Sequence, residues 1–337
     1  MAVVSSSARS RSKTRSRGTS SSTTEPTTDK LVEALIQLLE AGTTPWRRQW
    51  DASGGGHHVN LLSGHRYRGA NPILLTLGMH LRGSALPYWC GYAEAKALGI
   101  FPRKGSLGVR ILRPQVNRQA GDAGGSDSPD TSDTSDTPPT TCSGGTDEAT
   151  ANRLWVSFRP VVVFNAADLE GEGLGDLIAQ RQRDAGLAAR PEPERLAAAE
   201  AVLGAWPVPV SYGGERACYL PQIDRIQLPE RAAFHSAAGF YATWAHEIIH
   251  STGHASRLQR DLSGRFGSRA YAREELVAEL GSVLLGDQLE IGSALQNHAA
   301  YLGHWVELLK ESPQVLYRVL GDARRAVEVV CPLEEAV

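Results

Sequence analysis

Two histidines four residues apart stand either side of a glutamate in the run His246-Glu247-Ile248-Ile249-His250. On a helix that spacing separates the two side-chain directions by about 40°, so both imidazoles leave one face. This is how one rigid element gives a Zn2+ ion two nitrogen ligands. The glutamate beside them can take a proton from metal-bound water and return it, as general acid, to a leaving amine. The chemistry implied is hydrolysis at a carbonyl, with Glu247 as the catalytic base and the cation stabilising the oxyanion. The competing reading is two helix-face histidines beside a core, with a solvated glutamate. The flanks weigh against it. Phe234, Phe240, Tyr241 and Trp244 stand among Ala237, Ala238, Ala242 and Ala245, and Gly253 supplies a stop, as in a buried helix that delivers side chains to a cleft.

A catalytic zinc site usually takes a third protein ligand and keeps one position open. The pattern HExxHxxGxxH fails here: Gly253 fits its glycine, but Ser256 stands where the last histidine would fall. The run Glu274-Glu275-Leu276-Val277-Ala278-Glu279-Leu280 offers a glutamate instead. Spacing favours Glu275 as the ligand over Glu274, which reads as part of a solvated acidic face. Glu279, one turn further, is then the carboxylate that holds a ligand histidine by its second ring nitrogen. His254, Tyr271 and Arg273 are candidate donors to a substrate or an oxyanion, and the sequence places none of them.

These groups need a scaffold. Around them the sequence predicts a helix over 194–205, a β-like region over 208–228, the His246 and Glu275 helices, and two amphipathic helices ending near Val330. Toward the N-terminus, Asp29 is a candidate cap for a helix carrying Leu31, Leu35, Leu38 and Leu39 and closed by Gly42. Further helices are expected over 72–81 and 94–99, with β-prone runs at 109–112, 154–158 and 161–164. The fold class is therefore α+β: an N-terminal α+β domain over 30–170, and a C-terminal helical domain with a small sheet over 190–337. An Arg/Pro-rich junction lies near 170–195. Residues 1–29 read as a disordered basic tail, and 117–150, with Ser-Asp-Thr repeats, as a disordered acidic insertion between paired strands.

The net charge of −2 hides an asymmetry. Residues 1–116 hold 16 Lys and Arg against 6 Asp and Glu, whereas 117–150 hold one arginine against seven acids. A basic front half suits nucleic acid, although a solvated basic face would look similar. Basic residues sit beside aromatics in Trp46-Arg47-Arg48-Gln49-Trp50 and His65-Arg66-Tyr67-Arg68-Gly69, with Trp89 and Arg103-Lys104 nearby. Single strands are bound by that combination of phosphate contacts and stacking platforms. The candidate DNA-binding residues are thus Trp46, Arg47, Arg48, Arg66, Tyr67, Arg68, Trp89, Arg103 and Lys104. The alternative for each tryptophan is a core anchor. No zinc finger, P-loop or GxGxxG motif supports sequence-specific readout. There is no run of 18 apolar residues and no secretory h-region, so no membrane partner is expected. Cys90, Cys142, Cys218 and Cys331 form no CxxC pair and read as free thiols in a reducing, cytoplasmic compartment.

Two segments together resemble the ArdC antirestriction proteins. The front one runs Asn60-Leu-Leu-Ser-Gly-His-Arg-Tyr67-Arg-Gly-Ala-Asn71, then Tyr88-Trp89, Ala97-Leu98-Gly99 and Lys104-Gly105. The back one holds Asp224-Arg-Ile226-Gln-Leu-Pro229, the stretch from Tyr241 through His254, and Tyr271-Ala-Arg273-Glu-Glu275-Leu-Val-Ala-Glu279-Leu-Gly281. The resemblance implies a front domain that binds single-stranded DNA. It also implies a zincin-like metallopeptidase domain of gluzincin type, holding zinc through His246, His250 and a following glutamate, and a role in shielding incoming mobile DNA from restriction. The basic tail and the acidic insertion depart from the family pattern. Two rival readings remain: a nonenzymatic DNA protector with a structural zinc site, and a metalloprotease that cleaves a host protein and uses the front domain for targeting. The intact Glu247 favours chemistry, because a structural site needs no base.

Overall fold

Leu31, Val32, Leu35 and Leu39 are buried at helical spacing, and they form the inner stripe of α1 (Thr27–Glu40). The helix begins two residues before the expected cap at Asp29, and Gly42, at φ +79°, follows its end. The computed structural model describes residues 27–46, 57–118, 154–188, 190–292 and 299–332. Most of the acidic insertion (119–150) and of the basic tail, with Arg47, Arg48, Trp50 and Cys142, lie outside those residues; Cys90, Cys218 and Cys331 are free thiols.

The front segment continues through β1 (Val59–Asn60), α2 (Asn71–His80), β2 (Tyr88–Gly91), α3 (Tyr92–Ala97), β3 (Phe101–Pro102), β4 (Val109–Arg118), β5 (Leu154–Asn165) and β6 (Leu169–Glu170). Helix α2 is buried along Asn71–Met79, which its nearly unbroken apolar sequence requires. Four strands form a sheet in the order β1-β2-β5-β4, parallel only between β1 and β2. Strands β4 and β5 pair from Val109↔Val163 to Arg118↔Leu154, so the acidic segment joins two paired strands. The two runs expected at 154–158 and 161–164 are one strand, because β4 supplies partners along its length to Val163.

Much of the presumed junction is ordered. Helix α4 (Leu174–Ala188) occupies it, with Leu174, Leu177 and Ile178 packed on a small cluster around Leu61, Tyr88 and Ile100. Its apolar stripe is too thin to stand out among the arginines. The chain then forms α5 (Glu192–Gly204), β7 (Val210–Tyr212), β8 (Cys218–Leu220), β9 (Arg225–Leu228), α6 (Ala237–Thr252), α7 (Arg269–Leu289), α8 (Ala299–Glu311) and α9 (Val315–Val330). Besides a two-stranded β3-β6 sheet in the front segment, a three-stranded sheet here has the order β7-β9-β8, which leaves β8 at an edge. The architecture is mixed α+β.

Front and back share a hydrophobic core that runs from α1, Trp46 and α2 to α6, α7, α8 and α9. Ion pairs reinforce the contact. Glu290, the left-handed cap of α7 at φ +61°, accepts from Arg66 at 3.4 Å and Arg190 at 3.0 Å, while Arg195 donates to its carbonyl at 2.5 Å. A non-glycine residue in that conformation needs such outside support. Among the described residues no helix is long and apolar enough to cross a membrane.

Candidate metal centre and nucleic-acid groove

Helix α6 starts where Ser236 Oγ accepts from the Gly239 N–H at 3.0 Å, a serine cap. Phe240 and Trp244 anchor its buried side, and Trp206 Nε1 donates to Ser251 Oγ at 2.8 Å. Gly281 of α7 lies against Ile249, and a Cβ there would meet the Ile249 Cγ2 at 2.7 Å. Only glycine permits that approach of the two helices. The approach brings α7 carboxylates over the α6 histidines.

His246 Nε2 and His250 Nε2 lie 3.1 Å apart. The Glu275 carboxylate faces both, with Oε2 3.7 Å from His246 Nε2 and Oε1 3.7 Å from His250 Nε2. One ligand atom from each residue falls within 4.8 Å of the others. Donors around a tetrahedral zinc at ~2.0–2.1 Å stand roughly 3.3 Å apart. Two imidazole nitrogens this close to each other and to a carboxylate suit a shared divalent cation. Of the two adjacent glutamates, Glu275 is the one aimed at both Nε2 atoms.

Glu274 corrects the sequence reading. It is 6% exposed, not part of a solvated face. Its Oε1 lies 3.2 Å from His250 Nδ1 and also accepts from Arg260 Nη2 at 2.8 Å, while Oε2 accepts from Arg260 Nε at 2.9 Å. The carboxylate that orients His250 is therefore Glu274. The fully buried Glu279, expected to hold a ligand histidine by its second ring nitrogen, instead accepts from Trp46 Nε1 at 2.9 Å.

The electrostatics follow from this packing. Burial alone would lower the His250 pKa, but the Glu274 hydrogen bond and the charges of Glu275, Glu274 and Glu247 outweigh it, raising the group to about 9. Burial pushes Glu275 up, yet the His246 hydrogen bond and the two histidine charges pull it down to about 2. Glu247 is buried and its pKa is raised by desolvation, against the pull of His246 and His250; the backbone of Tyr219 on β8 hydrogen-bonds to it. A base lifted this way holds a transferred proton better.

These residues line a cleft of about 480 Å³, with Tyr219 and Cys218 of β8 on one side and Tyr271 and Tyr301 on the other. The two tyrosine hydroxyls are 3.3 Å apart. Burial, that bond and Glu275 raise the Tyr271 pKa, so the hydroxyl stays a donor. Tyr301 carried no local signal; only the packing of α8 brings it here. His254 does not line the cleft: its Nδ1 pairs with Ser256 Oγ at 2.8 Å within the turn after α6. Arg273 points away, paired with Asp322.

The DNA-binding candidates divide. Trp46 and Trp89 are buried core anchors: Trp46 packs on Trp305 with centroids 5.8 Å apart, and Trp89 Nε1 donates to His58 Nδ1 at 3.0 Å. Neither can stack on a base. Arg47 and Arg48 lie outside the described residues. Arg66 is partly committed to Glu290 and the Asp287 carbonyl. Arg68 is exposed and Tyr67 half-buried, and with Arg66 they line a groove of about 800 Å³ bordered by β4, β5 and α9. Burial pushes the Tyr67 hydroxyl up to about 12, so it remains protonated. Arg103 and Lys104 are exposed on the turn after β3 and do not line this groove.

Known proteins share this architecture. Residues 25–156 match the model of the N-terminal domain of anti-restriction factor ArdC, and residues 197–320 match a zincin-like metallopeptidase model. The chain is 35% identical over 305 residues to a DNA primase TraC of Escherichia coli, covering 89% of this chain and 26% of that protein. It thus spans about a quarter of that relative's length. It is 32% identical over 298 residues to the uncharacterized protein y4eC of Sinorhizobium fredii (strain NBRC 101917 / NGR234), covering 87% of each chain. The crystal structure of the antirestriction protein ArdC from plasmid R388, metal-free, superposes with a TM-score of 0.59 at 29% identity, covering 90% of this chain and 96% of that one. Its Mn(II)-bound form gives 0.57 at the same identity and coverage.

Proposed function

Because the chain belongs to the ArdC-like antirestriction family, we propose that it binds single-stranded DNA in the groove beside Arg68 and carries a zinc-dependent peptidase-type site with Glu247 as general base. The zincin-like match implies a metal, and His246, His250 and Glu275 are the residues that would hold it. The observation that carries the reading is their convergence in an open cleft with a buried glutamate beside them. When bound, the cation supplies Lewis-acid polarisation of a carbonyl and a water activated near neutral pH. Glu247 takes the proton from the attacking water and passes it to the leaving amine. Glu274 fixes the orientation of His250 through Nδ1. Tyr271 donates to the oxygen that gains charge.

Zinc is favoured by the two-imidazole, one-carboxylate donor set; the R388 relative in its Mn(II)-bound form makes manganese the competitor. A cytoplasmic place on mobile DNA is supported by the antirestriction relatives and by the primase relative. Binding of fluorescent single-stranded and duplex oligonucleotides across a salt series, with and without chelator, tests the DNA half. Steeply salt-dependent, single-strand-preferring binding is expected. Restriction of an incoming plasmid in cells carrying wild type or Glu247→Gln tests whether the hydrolytic site serves protection; equal protection would separate the two activities.

A further inference from the structure

The groove beside Arg68 has a second wall that neither family match covers. Those matches end at residues 156 and 320. Beyond them, Phe158 on β5 and Arg324 on α9 both line the groove. Arg324 crosses from the back segment over Gly69, where an added Cβ would stand 3.3 Å from the Arg324 Cδ. Gly69 has φ +65°, so the open backbone surface under the arginine is retained at a position that favours glycine. The Arg324 guanidinium carbon then sits 4.6 Å from the centre of the Phe158 ring.

Phe158 is 39% exposed, unusual for a large aromatic beside a core. Stacking a guanidinium on it flattens both groups into one surface. Arg68 and Arg113 also line the groove, both exposed and without an ion pair among the described residues. Glu328 holds Arg324 Nη1 at 2.5 Å and is 41% exposed. Arg324 is 20% exposed, so the pair is half-buried, and Glu328 is its outer partner, able to turn into water when a phosphate takes its place on the guanidinium.

We infer that α9 supplies half of the nucleic-acid site: Arg324 contacts a backbone phosphate, and Phe158 with Arg324 forms a platform on which one base stacks. The occupant is a single strand of nucleic acid. A duplex has no free base to present to a ring, and an acidic peptide would use the arginines but not Phe158. The inference rests on the single-strand reading above and adds a specific placement. It makes the strand bridge the front segment and the final helix of the metallopeptidase-like part.

Anisotropy of a short fluorescent oligothymidylate on the full-length protein, across a potassium chloride series, tests it. Phe158→Ala should weaken binding ~5–100-fold without changing the salt slope, the loss expected for one stacked base. Arg324→Ala should weaken binding and flatten the slope by roughly 0.7, one phosphate contact on a single strand. Glu328→Gln should tighten it, which no loss of fold can mimic. Zinc binding and thermal melting of each variant check that the fold is kept. If wild type binds no single strand, the underlying reading fails. If Arg68→Ala weakens binding while Phe158→Ala, Arg324→Ala and Glu328→Gln all match wild type, the α9 wall alone is refuted. If the arginine variant weakens binding and the Phe158 variant does not, the stacking platform is refuted.

Discussion

Glu274→Gln is a sharp perturbation because one side chain joins two others, Arg260 and His250. In the native protein Glu274 accepts from Arg260 at 2.8 and 2.9 Å and meets His250 Nδ1 at 3.2 Å. Glutamine keeps the shape and removes the charge. His250 then loses its main support, so its raised pKa falls and its Nε2 becomes a weaker, less fixed donor. Carboxylates that orient a ligand histidine are worth ~10–100-fold in metal affinity, about 1.4–2.7 kcal/mol. The substitution also strands the Arg260 guanidinium, 6% exposed, beside His250. Removing one partner of a buried pair costs ~3–5 kcal/mol. Arg260 keeps its bonds to Thr252 Oγ1 and the Ile249 carbonyl, so the lower end is expected. Competition against a chromogenic zinc chelator reads the first effect, and a thermal melt in chelator reads the second. Wild-type zinc affinity in a destabilised variant would show that Glu274 serves only Arg260, and the orienting role would be wrong.

Other substitutions and conditions separate structural from chemical roles. His250, raised to about 9 in the metal-free protein, contributes stability that is full below its ordinary value near 6.5 and lost as pH rises through about 9. Zinc uptake must displace that proton, so zinc affinity should climb across the same window; calorimetry in buffers of different ionisation enthalpy would detect the release, and none detected would contradict the assignment. Glu275, lowered to about 2, gives stability that is present above 4.5 and is lost as pH falls toward 2, seen as acid unfolding of the metal-free protein. Trp46→Phe removes the donor to buried Glu279 and should cost ~1–3 kcal/mol in chemical denaturation, while leaving oligonucleotide affinity unchanged. Tyr271→Phe should keep zinc and lower turnover on a cleavable peptide ~100-fold; equal turnover would remove it from the oxyanion.

The juxtaposition of His246 and His250 was legible because its geometry is local: a four-residue spacing on one helix puts both on one face whatever the rest of the chain does. Glu275 was legible for a similar reason, given a second helix. The partner of His250 was not. Whether Glu274 or Glu279 reaches Nδ1 depends on how α7 is rotated and how closely it approaches α6, which Gly281 against Ile249 settles in three dimensions. Tyr301 arrives from α8, thirty residues beyond its partner Tyr271. Trp46 and Trp89 look alike in sequence whether they stack on bases or fill a core; only Glu279 and His58, far along the chain or behind it, decide. Arg66 is held by residues more than 220 positions away, so its basic cluster overstated the charge free for phosphate. Helix α4 was hidden by a stripe of three apolar residues in an Arg-rich run.

The central claim is that the α6–α7 cleft is a hydrolytic metal site. Its most direct test compares purified wild type and Glu247→Gln for zinc content and for cleavage of a fluorogenic peptide library. The expected result is one equivalent of zinc in both proteins, with cleavage in wild type and a loss of ~100–10,000-fold in the variant. Cleavage by the variant at the wild-type rate, or a wild type that takes up no zinc, would contradict it.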